Sequence, residues 1–221
     1  NVDKGSLSYA LKNGGPVVWA SALIMGLGNL MAGQGFKALL FLLIEIAFVA
    51  FLVIPNGGFH WLSLLPSLGD TPTQEVWNDE LFIYEYIQGD NSQQILLYAV
   101  ATMVAIVAFI VIWRASIRSG FAALSLKRNG KKVPTFVDDC KELLDNNIHK
   151  FLMFPPFMML MIFTIVPLVY MMLMAFTNYS KVGDHLTLFD WVGMENFISL
   201  FDSTSALGRQ FVPVLTWTLI W

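Results

Sequence analysis

Long apolar runs, separated by polar stretches, dominate the pattern of hydrophobic and polar positions along the chain. A helix that crosses about 30 Å of hydrocarbon needs roughly 20 apolar residues, and about 17 is the lower limit. Three runs meet this limit: residues 38–54, 95–113 and 151–176. A fourth run, residues 211–221, reaches the last residue of the chain, and we expect it to be the beginning of a further membrane helix in a longer protein. The pattern predicts an all-α chain, a polytopic integral membrane helical bundle.

The segment 17–31 is apolar but short for a span. It carries Gly26, Gly28 and Asn29, which have low helix propensity. It fits either a short first span packed against the next helix or a re-entrant or interfacial hairpin that enters and leaves the membrane on one side. We expect the hairpin, over residues 17–37. A signal peptide does not fit, because no small-x-small cleavage site followed by a polar start is evident.

The distribution of Lys and Arg predicts the orientation. Residues 114–150 hold eight of the 13 basic residues, whereas residues 55–94 hold none and carry six acids. Because basic residues near spans favour the cytoplasmic side, we expect 114–150 in the cytoplasm and 55–94 outside. The segment 177–210 is then also extracellular. A spanning segment 17–31 would place the N-terminal lysines outside, and this favours the non-spanning hairpin.

The predicted cytoplasmic loop 114–150 ends in an amphipathic pattern. Thr135 is a candidate N-cap, and Asp138 and Asp139 follow in the first turn, where acids favour the helix dipole. Apolar residues then repeat at helical spacing at Val137, Cys140, Leu144 and Ile148. This pattern fits a helix on the bilayer surface better than a docking helix for a cytoplasmic partner.

Glu45 is the only charged residue inside the three long runs. A charge at mid-helix costs roughly 2.5–3.5 kcal/mol on insertion scales and is a functional candidate by default. Its sequence neighbours offer it no partner, and no other run supplies a positive charge. We therefore predict a structural role for Glu45, either protonated or bonded to a neighbouring helix or water. Ion coupling is the alternative.

Composition points to a membrane protein without catalytic chemistry. Hydrophobic residues make up 56% of the chain and charged residues 13%, against about a quarter in a soluble domain. The single cysteine, Cys140, excludes an internal disulfide. No nucleophile–base set and no phosphate-binding loop is present in the sequence, and a net charge of −3 gives no reason to expect nucleic acid. We expect no enzyme activity and no catalytic, cofactor-binding or metal site.

The outer loop 55–94 has a composition that permits two interpretations. Tyr84, Tyr86 and the six acids are suited to contact with a ligand. A solvated loop is the more common outcome of such a composition.

The C-terminal third carries a pattern of motifs. Residues 165–170 are Ile-Val-Pro-Leu-Val-Tyr, residues 175–180 are Ala-Phe-Thr-Asn-Tyr-Ser, and residues 191–197 are Trp-Val-Gly-Met-Glu-Asn-Phe. This order resembles the start of the permease subunits of bacterial carbohydrate ABC importers. The fit is nearest to the maltose/maltodextrin (MalF-like) type, whose members carry extra helices before that core. Residues 26–37 resemble the N-terminal extension of Gram-positive members.

The resemblance implies a division of the chain. Residues 1–150 would form the N-terminal extension. Residues 151–221 would start the permease core, with helix 151–176, outer segment 177–210 and the beginning of the next helix at 211–221. The family's Glu-Ala-Ala…Gly loop, which docks on the ATPase, is not in this sequence, so we expect a chain truncated before it. No sugar-binding residue can be carried over.

The implied function is transport. The chain would be part of a permease subunit of a binding-protein-dependent ABC importer for maltose/maltodextrin-like sugars in the plasma membrane. The implied partners are a second homologous permease subunit, a cytoplasmic ATPase dimer that holds ATP and Mg²⁺, an extracellular sugar-binding lipoprotein and membrane lipid. Two alternatives stay open: a membrane-anchored structural or assembly protein without a transport path, and a secondary transporter that uses Glu45.

Overall fold

Helices dominate the computed structural model, which describes residues 7–79, 82–87, 89–145, 147–180, 187–202 and 204–221. A π-helical turn, Met161–Ile165, joins the helix Ile148–Leu160 to the helix Val166–Met174. The helices are α1 (Leu7–Asn13), α2 (Pro16–Leu23), α3 (Leu27–Ala32), α4 (Gly35–Val53), α5 (Gly58–Leu64), α6 (Ser92–Arg128), α7 (Phe136–Asp145), α8 (Ile148–Leu160), α9 (Val166–Met174), α10 (Glu195–Phe201) and α11 (Ala206–Ile220).

Three helical stretches among the described residues are long and apolar enough to cross a membrane. They are α4, α6 and the continuous stretch Phe151–Met174, which runs through α8, the π-turn and α9. They coincide with the three long runs of the sequence and confirm the helical class of the prediction.

Helix α6 extends far beyond the apolar run that predicts it. The run ends at residue 113, yet the helix continues to Arg128 and is 37 residues long. It stops where Gly130 adopts a φ of 66°. There Lys131 N donates to the Leu126 carbonyl at 3.0 Å, the pattern of a Schellman C-cap. The first part of the predicted cytoplasmic loop 114–150 is therefore helical, because polarity alone does not end a helix.

The segment 17–31 is broken into two short helices. Gly26 lies between α2 and α3 with a φ of 86°, which glycine adopts without a steric cost. A Cβ added at Gly26 would lie 2.5 Å from the Ala38 carbonyl oxygen. Helix α2 has eight residues, about 12 Å of helix, which is too short to span hydrocarbon. The membrane placement of the hairpin 17–37 stays a prediction.

The predicted outer loop 55–94 contains an element that is not helical. Strands β1 (Gln74–Asn78) and β2 (Ile83–Ile87) pair antiparallel. The prediction of an all-α chain is therefore wrong at this hairpin. The physical reason is that β1 and β2 are rich in aromatic and β-branched residues, which favour strands, in runs too short to register as apolar spans.

The chain divides into two compact units. The first comprises Asn1–Phe59 and Met103–Ile162, and the second comprises His60–Thr102 and Phe163–Trp221. The core of the first unit is formed by Val18, Ala32, Ile117, Ala123 and Leu124. The core of the second unit is formed by Leu68, Ile95, Leu96 and Phe189.

Candidate functional site

Two backbone N–H groups at the break between α2 and α3 donate hydrogen bonds to side chains of the longer helices α4 and α6. Met25 N donates to Glu45 Oε2 in α4 at 2.8 Å. Gly26 N donates to Ser116 Oγ in α6 at 3.2 Å. A buried N–H group without a partner costs about 1–3 kcal/mol, and Met25 is only 1% exposed. Glu45 and Ser116 therefore stabilise the break itself.

Glu45 thus has a partner that the pattern of side chains does not reveal. The partner is the backbone of Met25, which lies 20 positions earlier in the chain. A backbone amide leaves no signature in the sequence, whereas a basic partner would. The structural role predicted for Glu45 stays a prediction, and this hydrogen bond gives it a physical basis.

Asn29 extends the polar contacts across the first unit. Asn29 is fully buried, and its Nδ2 donates to Gln34 Oε1 at 2.7 Å and to Ser119 Oγ at 2.9 Å. Gln34 Nε2 donates in turn to the Pro134 carbonyl at 2.7 Å. Within the described part of the chain, Asn29 Oδ1 is buried without a partner. We define the polar seam as Asn29, Gln34, Glu45, Ser116 and Ser119.

Two glycines let the backbones meet beside the polar seam. A Cβ added at Gly28 in α3 would lie 3.2 Å from the Cα of Gly120 in α6, and 2.8 Å from Ser21 Oγ. A Cβ added at Gly120 would lie 3.3 Å from the Gly28 Cα. Small residues at helix contacts allow this approach in membrane proteins. The approach brings Asn29 within hydrogen-bond reach of α6.

Helix α6 also satisfies the carbonyl groups at the ends of the short helices. The last carbonyls of a helix have no partner within that helix, so donors from elsewhere stabilise its end. Three side chains of α6 supply such donors: Trp113 Nε1 to the Ala22 carbonyl at 2.9 Å, Lys127 Nζ to the Met31 carbonyl at 2.7 Å, and Arg128 Nη2 to the Gly14 carbonyl at 3.2 Å.

Helix α7 is capped and attached to the start of α4. Thr135 N donates to Asp138 Oδ2 at 2.9 Å, and Asp138 N donates to Thr135 Oγ1 at 3.3 Å. This is a reciprocal capping arrangement, at the N-cap that the sequence predicts. The hydrogen bonds from Thr135 hold the pKa of the Asp138 carboxyl below its ordinary value. Lys37 Nζ forms a salt bridge with Asp139 Oδ2 at 2.8 Å.

In the second unit, the motifs at 175–180 and 191–197 contact each other. Asn196 Nδ2 donates to the Ala175 carbonyl at 2.9 Å and to the Thr177 carbonyl at 2.7 Å. Asp190 N donates to Asn178 Oδ1 at 2.7 Å. The asparagines of the two motifs therefore hold the chain where it leaves α9.

Ser92 joins the two segments that the charge pattern places outside. Its Oγ donates to the Leu68 carbonyl at 2.7 Å and accepts from Phe189 N at 2.9 Å, while its N donates to the Thr187 carbonyl at 2.8 Å. Ser92 is fully buried. Segments 55–94 and 177–210 therefore share one hydrogen-bonded core at the start of α6.

A cleft of about 650 Å³ opens beside the end of α9. The amide of Asn196 and the hydroxyl of Thr177 are already engaged with backbone carbonyls, so the cleft is mostly an aromatic and aliphatic surface. Its lining includes Gln93, Tyr170, Thr177, Tyr179, Asn196 and Phe197. Among the described residues, no group of three or more His, Cys, Asp or Glu side chains is placed to hold a metal ion.

The chain matches three permease proteins over most of its length. It is 29% identical over 207 residues to the maltodextrin transport system permease protein MalC of Streptococcus pneumoniae. It is 28% identical over 204 residues to the maltodextrin transport system permease protein MdxF of Bacillus subtilis. It is 22% identical over 203 residues to the galactooligosaccharides transport system permease protein GanP of Bacillus subtilis.

Each match covers most of this chain but less than half of the relative. Each covers 90% of this chain but only 42–44% of the relative, so the chain spans less than half the length of the curated relatives it matches. No protein-family model matches the chain, and no solved structure does. With helices able to cross a membrane, the chain is built as a multi-pass membrane protein that is similar to permease proteins of carbohydrate transport systems.

Proposed function

We propose that this chain forms part of a membrane-spanning permease subunit of an ABC importer for maltodextrin-like oligosaccharides. The observation that carries the proposal is the match to two maltodextrin permease proteins over 90% of the chain. The three long apolar helices support it. Because the chain spans 42% of those relatives, the transport activity is proposed for the whole protein that contains it.

The proposed orientation follows the positive-inside rule. Residues 114–150 lie in the cytoplasm, and residues 55–94 and 177–210 lie outside. Internal contacts support this assignment, since Ser92 bonds the two outer segments together, and Lys37 pairs with Asp139 at the basic end. Segments that contact one another at helix ends belong on the same side of a membrane.

The proposed partners follow from the division of labour in such an importer. A second homologous permease subunit completes the pathway, a cytoplasmic ATPase dimer binds ATP and Mg²⁺, and an external lipoprotein delivers the sugar. This chain itself carries no catalytic or cofactor role. Purified chain is expected neither to bind nor to hydrolyse ATP, and ATPase activity in the absence of a partner subunit would contradict this assignment.

Uptake of labelled sugar by cells tests the function. Deletion of the gene that encodes the whole protein should abolish uptake of maltotriose and longer maltodextrins, and should leave uptake of glucose unchanged. Uptake in energised vesicles should require ATP and should not respond to an imposed pH gradient. Normal maltodextrin uptake after deletion would refute the proposal. If the deletion instead abolished uptake of galactooligosaccharides, the substrate of this transporter would be the one named for the relative GanP.

Cysteine labelling tests the orientation. The chain has one cysteine, Cys140, so Cys140→Ser gives a cysteine-free background. On that background Lys131→Cys should be shielded from an impermeant external reagent, and Glu80→Cys should react. The reverse pattern would overturn the orientation. In the same assay Lys4→Cys reports on the hairpin 17–37, because external labelling there would show a span. Lys4 and Glu80 lie outside the described residues.

A further inference from the structure

The hairpin of β1 and β2 separates its side chains into two chemically different faces. Glu75 pairs with Tyr86, and Trp77 pairs with Tyr84. Because successive side chains of a strand point to opposite faces and paired residues share a face, these four side chains lie together. We define them as the aromatic face. The opposite face carries Gln74, Val76, Asn78, Ile83, Glu85 and Ile87.

The aromatic face is open to solvent within the described part of the chain. Trp77 is 44% exposed, Tyr84 is 61% exposed and Tyr86 is 72% exposed. The rings of Trp77 and Tyr84 meet edge to face, with centroids 4.9 Å apart. The cross-strand contact holds the two rings in a fixed relation and leaves much of their surface free. Contiguous exposed apolar patches mark interaction sites, whereas scattered single apolar residues do not.

The residue types on this face suit a neutral sugar chain. Trp and Tyr present rigid rings with an apolar face and a polar edge, and a sugar ring presents an apolar C–H face bordered by hydroxyl groups. The Glu75 carboxylate is a hydrogen-bond acceptor beside those rings, placed to receive the hydroxyl hydrogens of a stacked sugar. The four side chains together therefore offer both stacking and hydrogen bonding.

Charge argues against an anionic occupant. The segment 55–94 contains six acids and no Lys or Arg, so it repels phosphate groups, including those of anionic lipid. The aliphatic side chains Val76, Ile83 and Ile87 lie on the opposite face. A neutral polyhydroxylated ligand is the occupant that fits the aromatic face.

We infer that the aromatic face binds the oligosaccharide outside the membrane, by stacking sugar rings on Trp77 and Tyr84 and accepting hydroxyl hydrogens at Glu75. The inference rests on the proposed function and adds to it a contact for the maltodextrin chain on the outer side of the permease. The inference places the ligand contacts that the sequence suggests for Tyr84, Tyr86 and the acids on one defined face of the hairpin.

Uptake by the complete transporter tests the inference. In cells, Trp77→Ala with Tyr84→Ala should raise the maltoheptaose concentration for half-maximal uptake about tenfold, as loss of an interaction of this kind requires, and leave the maximal rate unchanged. Trp77→Phe with Tyr84→Phe keeps both rings and should stay within about twofold of the wild type. Ile83→Thr, on the opposite face, is the matched control and should behave as the wild type.

A second measurement applies even if the alanine variant fails to assemble. Acrylamide quenching of Trp77 is obtained as the difference between wild-type transporter and Trp77→Phe in nanodiscs. Maltoheptaose should reduce that quenching, and an equal concentration of glycerol should not. Unchanged quenching, or unchanged half-maximal concentration in the alanine variant, would overturn the inference.

Three outcomes are distinguishable. If the alanine variant loses binding of the external sugar-binding protein, and maltoheptaose does not protect Trp77 of the wild type from quenching, the face docks that protein and the inference is wrong. If the wild-type transporter takes up no oligosaccharide at all, the proposed function fails. If the wild type transports and the alanine variant transports identically, only the inference about this face fails.

Discussion

Helix α6 and the stretch Phe151–Met174 are both apolar enough to span a membrane, yet this chain buries them very differently. About 28% of the most apolar part of α6 is buried by the described residues, and none of the corresponding part of Phe151–Met174 is. The buried residues in that part of α6 are Ile95, Leu96, Ala99, Val100 and Thr102, and Ile95 and Leu96 pack in the core with Leu68 and Phe189. Farther along α6, Ser116, Ser119 and Gly120 contact the hairpin 17–37, whereas Phe151–Met174 is lined with Phe, Met and Leu.

The comparison shows that the ability of a helix to enter a membrane and its packing against its own chain are different properties, which hydropathy alone does not distinguish. Apolar length determines whether a helix can enter a membrane. Small and polar side chains allow a helix to approach other segments of its own chain closely, whereas apolar area alone gives little preference, because lipid tails solvate Leu as well as a protein does. Phe151–Met174 therefore offers a surface to lipid or to another protein segment, while α6 contributes residues to the cores of both units.

The largest effect is expected from filling the contact between α3 and α6. Gly120→Leu places a side chain where Gly28 already lies 3.3 Å from a first added carbon, so we expect a loss of at least about 1–3 kcal/mol in stability. Thermal unfolding of the purified full-length protein measures it. Ala108→Leu, at an exposed position of the same helix, is the control and should be nearly neutral. Equal stability of the two variants would contradict the close contact between α3 and α6.

The next effect concerns the acid of the polar seam. Glu45→Leu leaves Met25 N without its acceptor, and we expect a cost of about 1–3 kcal/mol and a lower amount of assembled transporter. Glu45→Gln keeps a side-chain oxygen that accepts the same hydrogen bond, so amount and sugar uptake should stay near the wild type. If Glu45→Gln abolished uptake in a complex that still hydrolyses ATP, the structural role predicted for Glu45 would be wrong. The alternative of a secondary transporter that uses Glu45 would then gain support.

A smaller effect is expected at the attachment of α7. The Lys37 and Asp139 side chains are 27% and 29% exposed, and a partly exposed ion pair contributes about 0.2–1 kcal/mol. A double-mutant cycle with Lys37→Met and Asp139→Asn measures the coupling, which should shrink at high salt. A coupling that is insensitive to salt would show that the pair is more deeply buried in the membrane-embedded protein.

The smallest effect is a pH dependence at the α7 cap. The pKa of Asp138 is lowered by its hydrogen bonds from Thr135, so the folded pKa lies below the unfolded one. The cap is therefore fully stabilising above the unfolded pKa, and this contribution is lost as the pH falls through the folded pKa. The protection of amides 135–139 from hydrogen exchange, relative to their intrinsic exchange rate, should therefore fall as the pH is lowered through the pKa of Asp138. Asp138→Asn should remove that dependence, and an unchanged profile would contradict the assignment.

The sequence predicts the parts of this fold that depend on residue type and spacing. The three spans follow from apolar length, and the α7 N-cap follows from Thr135 and the acids after it. The continuation of α6 to Arg128 does not follow, since its exposed polar residues are also good helix formers. The hydrogen bond of Glu45 does not follow either, because its partner is a backbone group. The β-hairpin escapes the search for apolar runs because polar residues such as Glu75, Asn78 and Glu85 interrupt its aromatic and β-branched residues.

The π-turn at Met161–Ile165 governs the helical phase of α9. A π-turn accommodates about one residue more than regular α-helix does, and one residue of α-helix corresponds to about 100° of rotation. Deleting one residue within 161–165 would therefore restore regular α-helix and keep every side chain of α9 facing as it does, whereas a deletion within α8 would turn α9 by about 100°. A single-residue gap in an alignment is structurally neutral at this turn and disruptive one turn earlier.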